Sequence, residues 1–199
     1  MAKRIIRIIV LGDLLVSPSG DPRGLGWLGR VLSRSFSDEL TFEVIALPVP
    51  NETTAQLGER WWGEVERRIS GADEIRLVVA LGNTDPAAGI SISRSRLNLA
   101  TILDDARKRH LEPFVVGPAP SRFEEQNAEI EHLAWGFEDV ATRRQIPFVD
   151  CFKPLVEHEG WRSEMADSDN GVPGQVGHGL IAWLVLNRGW NEWLGLAEA

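Results

Sequence analysis

Five short runs of aliphatic, mostly β-branched residues, each followed by a longer stretch of helical periodicity, constrain this chain more than any other feature. The runs lie at 5–11, 42–47, 75–81, 113–116 and 147–149. Ile5-Ile6-Arg7-Ile8-Ile9-Val10-Leu11 and Leu77-Val78-Val79-Ala80-Leu81 lack the in–out alternation of a half-solvated strand. Strands of that kind are buried on both faces, as in a parallel sheet with helices on each side. Helices are predicted over 26–36, 53–69, 95–109, 122–144 and 174–186. Thr53 and Gln56 have capping-box spacing, and Leu57, Trp61, Val65 and Ile69 follow on one stripe. Ser121 and Glu124 repeat the cap signal before the fourth helix. Alternation of this type implies a doubly wound, three-layer α/β/α domain with right-handed crossovers. The 199 residues contain no repeat, low-complexity tract or linker, so one domain over 1–199 is expected.

The same map locates a site. Asp13, Asn51, Thr84 and Pro118 each follow the carboxyl end of a predicted strand. That edge of an open α/β sheet is where ligands bind. The excursion over 151–173, after the last strand, brings Asp167 and Asp169 to the same edge. A small-molecule pocket is expected there.

Composition narrows the partners. A net charge of -8 argues against nucleic acid and anionic membrane surfaces. The longest apolar run, 180–186, is far short of the roughly 20 residues of a membrane span. Cys151 is the single cysteine, which excludes an internal disulfide, suits a reducing compartment and reads as a small buried hydrophobe. No small-residue cleavage site follows the first apolar run, so a secretory signal is not expected and a cytoplasmic location is. Oligomeric state is left open, and Trp190, Trp193 and Leu194 read equally as interface or core.

Several motifs fail on context. Gly24-Leu25-Gly26-Trp27-Leu28-Gly29 matches a dinucleotide fingerprint but lies a dozen residues beyond the first predicted strand, where it cannot aim a helix at a pyrophosphate. Asp167-Ser168-Asp169-Asn170-Gly171 opens like a calcium loop, yet the required Gly and Glu positions hold Val172 and His178. His110, His132, His158 and His178 form no metal-ligand spacing. No metal or cofactor is expected. His178, near the start of the last helix, is retained as a pocket candidate.

Five segments in order resemble the blocks of the SGNH (GDSL-type) hydrolase family. They include Val10-Leu11-Gly12-Asp13-Leu14-Leu15, Pro50-Asn51-Glu52-Thr53-Thr54, Gly82-Asn83-Thr84-Asp85 and Asp169-Asn170-Gly171-Val172, and besides the blocks the likeness takes in Gly117-Pro118-Ala119-Pro120 and Pro173-Gly174-Gln175-Val176-Gly177-His178. The resemblance runs over about residues 4 to 195 and implies a flavodoxin-like five-stranded sheet in the order 2-1-3-4-5. It also implies roles. Leu14 stands where the family has its nucleophilic Ser, and Val172 where it has the catalytic His. Asn51 replaces the Gly of the oxyanion hole, and Thr84 the Asn. The resemblance makes Asp13 a largely structural residue under the active site and Asp169 the residue that orients the missing imidazole. Asp85 reads as a turn or cap residue.

Acyl transfer needs a hydroxyl nucleophile, a base and oxyanion donors. Leu14 and Val172 supply neither of the first two, and Ser17, the nearest hydroxyl, has no adjacent base. Apolar residues ringed by Asp13, Asn51, Asn83, Thr84 and Asp169 are the composition of a small-molecule pocket. An apolar wall beside a carboxylate raises its pKa, one way to make an acid or base. Three readings follow. The first is a non-hydrolytic enzyme of isomerase, cyclase or lyase type with Asp13 and Asp169 in acid–base roles, and Leu14, Asn51, Asn83, Thr84, Val172 and His178 around the substrate. The second is an inactive relative that binds a ligand or partner. The third is a hydrolase with another nucleophile.

Overall fold

The computed structural model describes residues 3–196. Strands β1 (Arg4–Gly12), β2 (Leu40–Pro48), β3 (Glu74–Ala80), β4 (Glu112–Val116) and β5 (Phe148–Val149) form one parallel sheet in the order β2-β1-β3-β4-β5. Around it run α1 (Gly26–Leu32), α2 (Thr54–Glu66), α3 (Thr84–Ala87), α4 (Ile92–Lys108), α5 (Glu124–Thr142), α6 (Phe152–Leu155), α7 (Glu159–Ala166), α8 (Gln175–Leu186) and α9 (Trp190–Leu194). This is the doubly wound architecture and strand order expected.

The unbroken apolar runs are explained by two cores. In β1, Ile6, Ile8 and Val10 enter a core with Trp27 and Val31 of α1 and Ile181 and Val185 of α8. Ile9 and Leu11 enter the opposite core with Leu57, Trp61 and Val65 of α2, Leu99 of α4 and Phe137 of α5. Both faces are covered, so no position in the strand is free to be polar. Arg7 is the exception. It reaches the sheet end, where it donates to Glu43 and to the carbonyls of Arg68 and Ser70. Trp190 and Trp193 pack on Phe114 with ring centroids 5.4 Å and 5.0 Å away, so the tail is core.

Local differences from the expectation have local causes. Helices α3, α6, α7 and α9 are too short to show a period, and the 151–173 excursion contains α6 and α7. Helix α4 begins earlier than expected because Ser91, not Ser95, caps it, accepting from the Arg94 N–H at 3.3 Å. Helix α1 stops at Leu32 rather than running to residue 36. The Thr53–Gln56 capping box forms, whereas Ile69 lies beyond the end of α2 and is exposed. Ser121 does not cap α5; its hydroxyl accepts the N–H of Phe123, the residue in the cap position. No helix among the described residues is long and apolar enough to cross a membrane.

Candidate functional site

The chain leaves β1 through Gly12, where a Cβ would collide with the Ala80 carbonyl of β3, so only glycine permits this close approach. Asp13 then caps the single 3₁₀ turn Leu14–Val16, accepting the Leu15 N–H on Oδ1 at 3.0 Å. Its carboxyl lies over Gly82, another position where a Cβ would strike it. Burial raises the Asp13 pKa from 3.8 to about 6; the Leu15 hydrogen bond opposes that rise and the nearby charge of Glu52 adds to it.

The other strand ends supply the walls. Asn51 follows β2 with φ of 55°, the left-handed region that asparagine tolerates better than most residues. The next residue, Glu52, is buried and pairs with Arg60 of α2. After β3, Asn83 donates through Nδ2 to the Ala119 carbonyl at 3.0 Å, joining the loops that follow β3 and β4. Thr84 opens α3. Asp85 is buried and accepts the Thr54 N–H at 2.8 Å and the Thr54 hydroxyl, so the cap it forms belongs to α2. Val172 is buried behind the turn of 168–172, where its N–H donates to the Ser168 hydroxyl at 3.1 Å.

These loops enclose an open cleft of about 620 Å³. Asp13, Leu14, Asn51, Asn83, Thr84, Asp169 and Val172 all line it, with Asp169 on its exposed rim. His178 does not line it. It is fully buried, accepts the Trp27 N–H on Nδ1 at 3.1 Å and lies 2.9 Å from the Ser19 carbonyl through Nε2. The Trp27 donor fixes the tautomer with hydrogen on Nε2, which therefore donates to Ser19. Burial lowers its pKa. The first turn of α8 aims position 178 at α1, so this histidine joins two elements behind the cleft instead of facing a ligand.

The remaining candidates are resolved by the same contacts. The Gly24–Gly29 motif does open a helix, but its N–H groups are filled from within: Asp21 accepts from Leu25 and Gly26 and pairs with Arg30. Ser17 turns its hydroxyl to the Leu14 carbonyl at 2.7 Å and does not line the cleft. Cys151 is buried, which pushes its thiol pKa up and keeps it unreactive. No group of three or more His, Cys, Asp or Glu side chains among the described residues is placed to hold a metal. The sequence reading missed Arg122, Phe123, Trp161 and Met165, which complete the cleft wall. Trp161 and Met165 sit on α7, inside the unassigned excursion. The only available signal was their i, i+4 spacing.

The fold has many solved relatives. A lipase/acylhydrolase from Enterococcus faecalis superposes with a TM-score of 0.71 at 22% identity, covering 91% of this chain and 93% of that one. Axe2, an acetylxylan esterase from Geobacillus stearothermophilus, gives 0.74 at 14% identity over 98% and 97% of the two chains. The psychrotrophic esterase EstA from Pseudoalteromonas sp. gives 0.70 at 15% over 95% and 98%. At these identities the likeness concerns the fold. No curated protein sequence matches the chain significantly. Residues 10–180 match the sequence model of one family, from the end of β1 to the middle of α8, and thereby include every loop of the cleft. The chain belongs to the GDSL-like lipase/acylhydrolase family.

Proposed function

We propose that this protein binds a small metabolite in the cleft and moves a proton through Asp13, in a reaction of isomerase, cyclase or lyase type, without the serine-ester chemistry of its family. The reading is supported chiefly by Asp13, which borders the cleft and whose pKa burial raises to about 6, beside Leu14 and Val172, which stand at the positions that the family resemblance gives to nucleophile and base. A general acid or base works best with a pKa near the working pH. Asp13 meets that condition by burial. Asp169 stands on the rim as a second, solvated carboxylate, and Asn51, Asn83 and Thr84 offer polar groups that orient a substrate. The apolar pair Leu14 and Val172 would shield the reacting atoms from water.

A second reading, binding without turnover, is favoured by the engagement of Asp13 Oδ1 with the Leu15 N–H, which gives the carboxyl a structural task. Ester cleavage, the activity named for the Enterococcus, Geobacillus and Pseudoalteromonas proteins, would need a nucleophile other than residue 14. Ser17 is a poor one because its hydroxyl is spent on the Leu14 carbonyl.

Purified protein should hydrolyse p-nitrophenyl acetate and butyrate no faster than a bulk-protein control, and a fluorophosphonate should not label it. Stoichiometric labelling of any Ser or Thr overturns the proposal. A metabolite that raises the melting temperature serves as ligand. With it, Asp13→Asn should hold affinity within about tenfold and lose about 10²- to 10⁴-fold in turnover. Equal conversion by wild type and Asp13→Asn removes Asp13 from the chemistry. The absence of any conversion, with binding intact, selects the second reading.

A further inference from the structure

His178 stands behind the cleft, and its contacts reach the cleft through one turn. The first donors of α1 have no cap of their own, because Leu25 at the cap position offers no side-chain acceptor. Asp21 accepts the N–H groups of Leu25 and Gly26, and Nδ1 of His178 accepts that of Trp27 at 3.1 Å. Nε2 of the same ring donates to the Ser19 carbonyl at 2.9 Å. One fully buried side chain of α8 thus joins the start of α1 to the turn of 17–20.

That turn backs two walls of the cleft. Ser17 donates to the Leu14 carbonyl through its N–H at 3.0 Å and its hydroxyl at 2.7 Å, and the Ser17 and Ser19 hydroxyls lie 2.7 Å apart. Gly20, with φ of 82°, lies so close to the chain beside it that a Cβ there would stand 2.3 Å from the Pro173 carbonyl oxygen and 3.2 Å from Cγ2 of Val172. Leu14 and Val172 both line the cleft. We propose that His178 is a positioning residue for the cleft: neutral, it fastens the 17–20 turn, and with it Leu14 and Val172, to α1; protonated, it releases α1 and the turn shifts.

The two ring nitrogens make this possible because they have opposite tasks. Nδ1 must accept while Nε2 donates, and only the neutral ring can do both. An added proton sets an Nδ1–H against the Trp27 N–H, donor facing donor, while Nε2 keeps its bond to Ser19. The ring then stays with the turn and loses the helix. Three charged groups face the ring: Arg30 of α1, Asp21 at the end of the turn and Glu164 of α7, whereas α8 itself carries none. All three are engaged. Asp21 pairs with Arg30, and Glu164 accepts the N–H groups of Val176 and Gly177 at 2.8 Å and 2.7 Å. No carboxylate is left over to take the new N–H. Burial disfavours the charged ring, so the contact holds at neutral pH and opens in acid.

The test needs no ligand. Protein carrying Asp13→Asn, which removes the titration nearest Leu14, is labelled with nitrogen-15 and with carbon-13 in the Leu and Val methyl groups. The His178 ring is assigned through its backbone and titrated from neutral pH into acid, with circular dichroism alongside. The ring should protonate below the ordinary value of 6.5, while the dichroism is still native. The Trp27 amide and the Leu14 and Val172 methyl resonances should shift with the same midpoint. His178→Gln, which keeps a neutral donor for Ser19, should lose those shared shifts; His178→Asn is the second variant if the first does not fold. A ring that stays neutral until the whole protein unfolds overturns the inference. So does protonation that leaves the Leu14 and Val172 methyl groups unmoved, or a shared shift that survives in either variant. If neither variant folds, the comparison of midpoints decides alone. The inference concerns the cleft of the proposed function but not its chemistry: Asp13 is absent from the protein titrated, so failure here leaves the acid–base role of Asp13 untouched, and loss of that role leaves this result standing.

Discussion

Asp13 shows how the same burial can hold a loop and shift a titration. Its carboxyl is withdrawn from water against Gly82 and the 14–16 turn, and that desolvation lifts its pKa to about 6. The fold therefore favours the protonated form, so the stabilisation is fully present below the unfolded value of 3.8 and is lost as pH rises through about 6. The shift corresponds to about 3 kcal/mol at most. Asparagine keeps the oxygen that accepts from Leu15 and removes the titration. Asp13→Asn should be more stable than wild type at neutral pH, by an amount approaching that limit, and should lose the advantage near pH 4. Urea unfolding of both proteins across this range checks it. Asp21, whose pKa is lowered chiefly by its bond to Arg30, and His178, whose pKa is lowered by burial, bias stability the other way as pH falls. Both remain in the variant, so the difference between the proteins isolates Asp13. A wild type and variant with parallel pH profiles would remove the raised pKa from the account.

At the scale of elements, helix starts are held by carboxylates that lie far away in sequence. Asp85, after β3, takes the first N–H of α2. Glu164 of α7 takes the N–H groups of Val176 and Gly177 in the first turn of α8, at 2.8 Å and 2.7 Å. Each satisfies groups that a helix cannot satisfy itself and sets a negative charge at the positive end of the dipole. Asp85→Ala should destabilise by about 1–3 kcal/mol, because it leaves the buried N–H of Thr54 and the proton of its hydroxyl without an acceptor. Thermal denaturation measures that loss; a change under about 0.5 kcal/mol, the scale of ordinary surface substitutions, would show that the cap does not matter. Asp85 was legible as a cap residue from its place in Gly-Asn-Thr-Asp, but not the helix it caps, since sequence spacing carries no sign of a partner 31 positions away.

For the whole molecule, the frame that holds the cleft is independent of what fills it. Seven of the eight side chains read from the sequence as site residues converge, from loops after β1, β2 and β3 and from the turn before α8. If only the four replaced positions separate this site from an esterase, then Leu14→Ser, Val172→His, Asn51→Gly and Thr84→Asn together should produce weak p-nitrophenyl ester hydrolysis. Each single substitution should produce none, because nucleophile, base and oxyanion donors act as a unit. A fourfold variant with native circular dichroism and no activity would mean that Asp169, exposed on the rim, no longer stands where it can orient an imidazole.

The sequence alone determined the architecture, because burial on both faces of a parallel sheet writes itself as unbroken apolar runs, and strand ends must carry the loops. It determined seven of the residues that line the cleft, five of them because position after a strand is enough to reach that edge of the sheet. Direction and partnership were decided only by the tertiary structure. His178 is one turn into a helix whose rotation about its axis is set by packing on α1, and that rotation sends the ring to Trp27 and Ser19 rather than into the cleft. Trp161 and Met165 come to the cleft through a long excursion, whose path depends on how α6 and α7 dock and not on any period in the chain. The raised pKa of Asp13 likewise has no local signal, since it arises from the atoms of β1, β3 and the loop at Glu52 closing around one carboxyl.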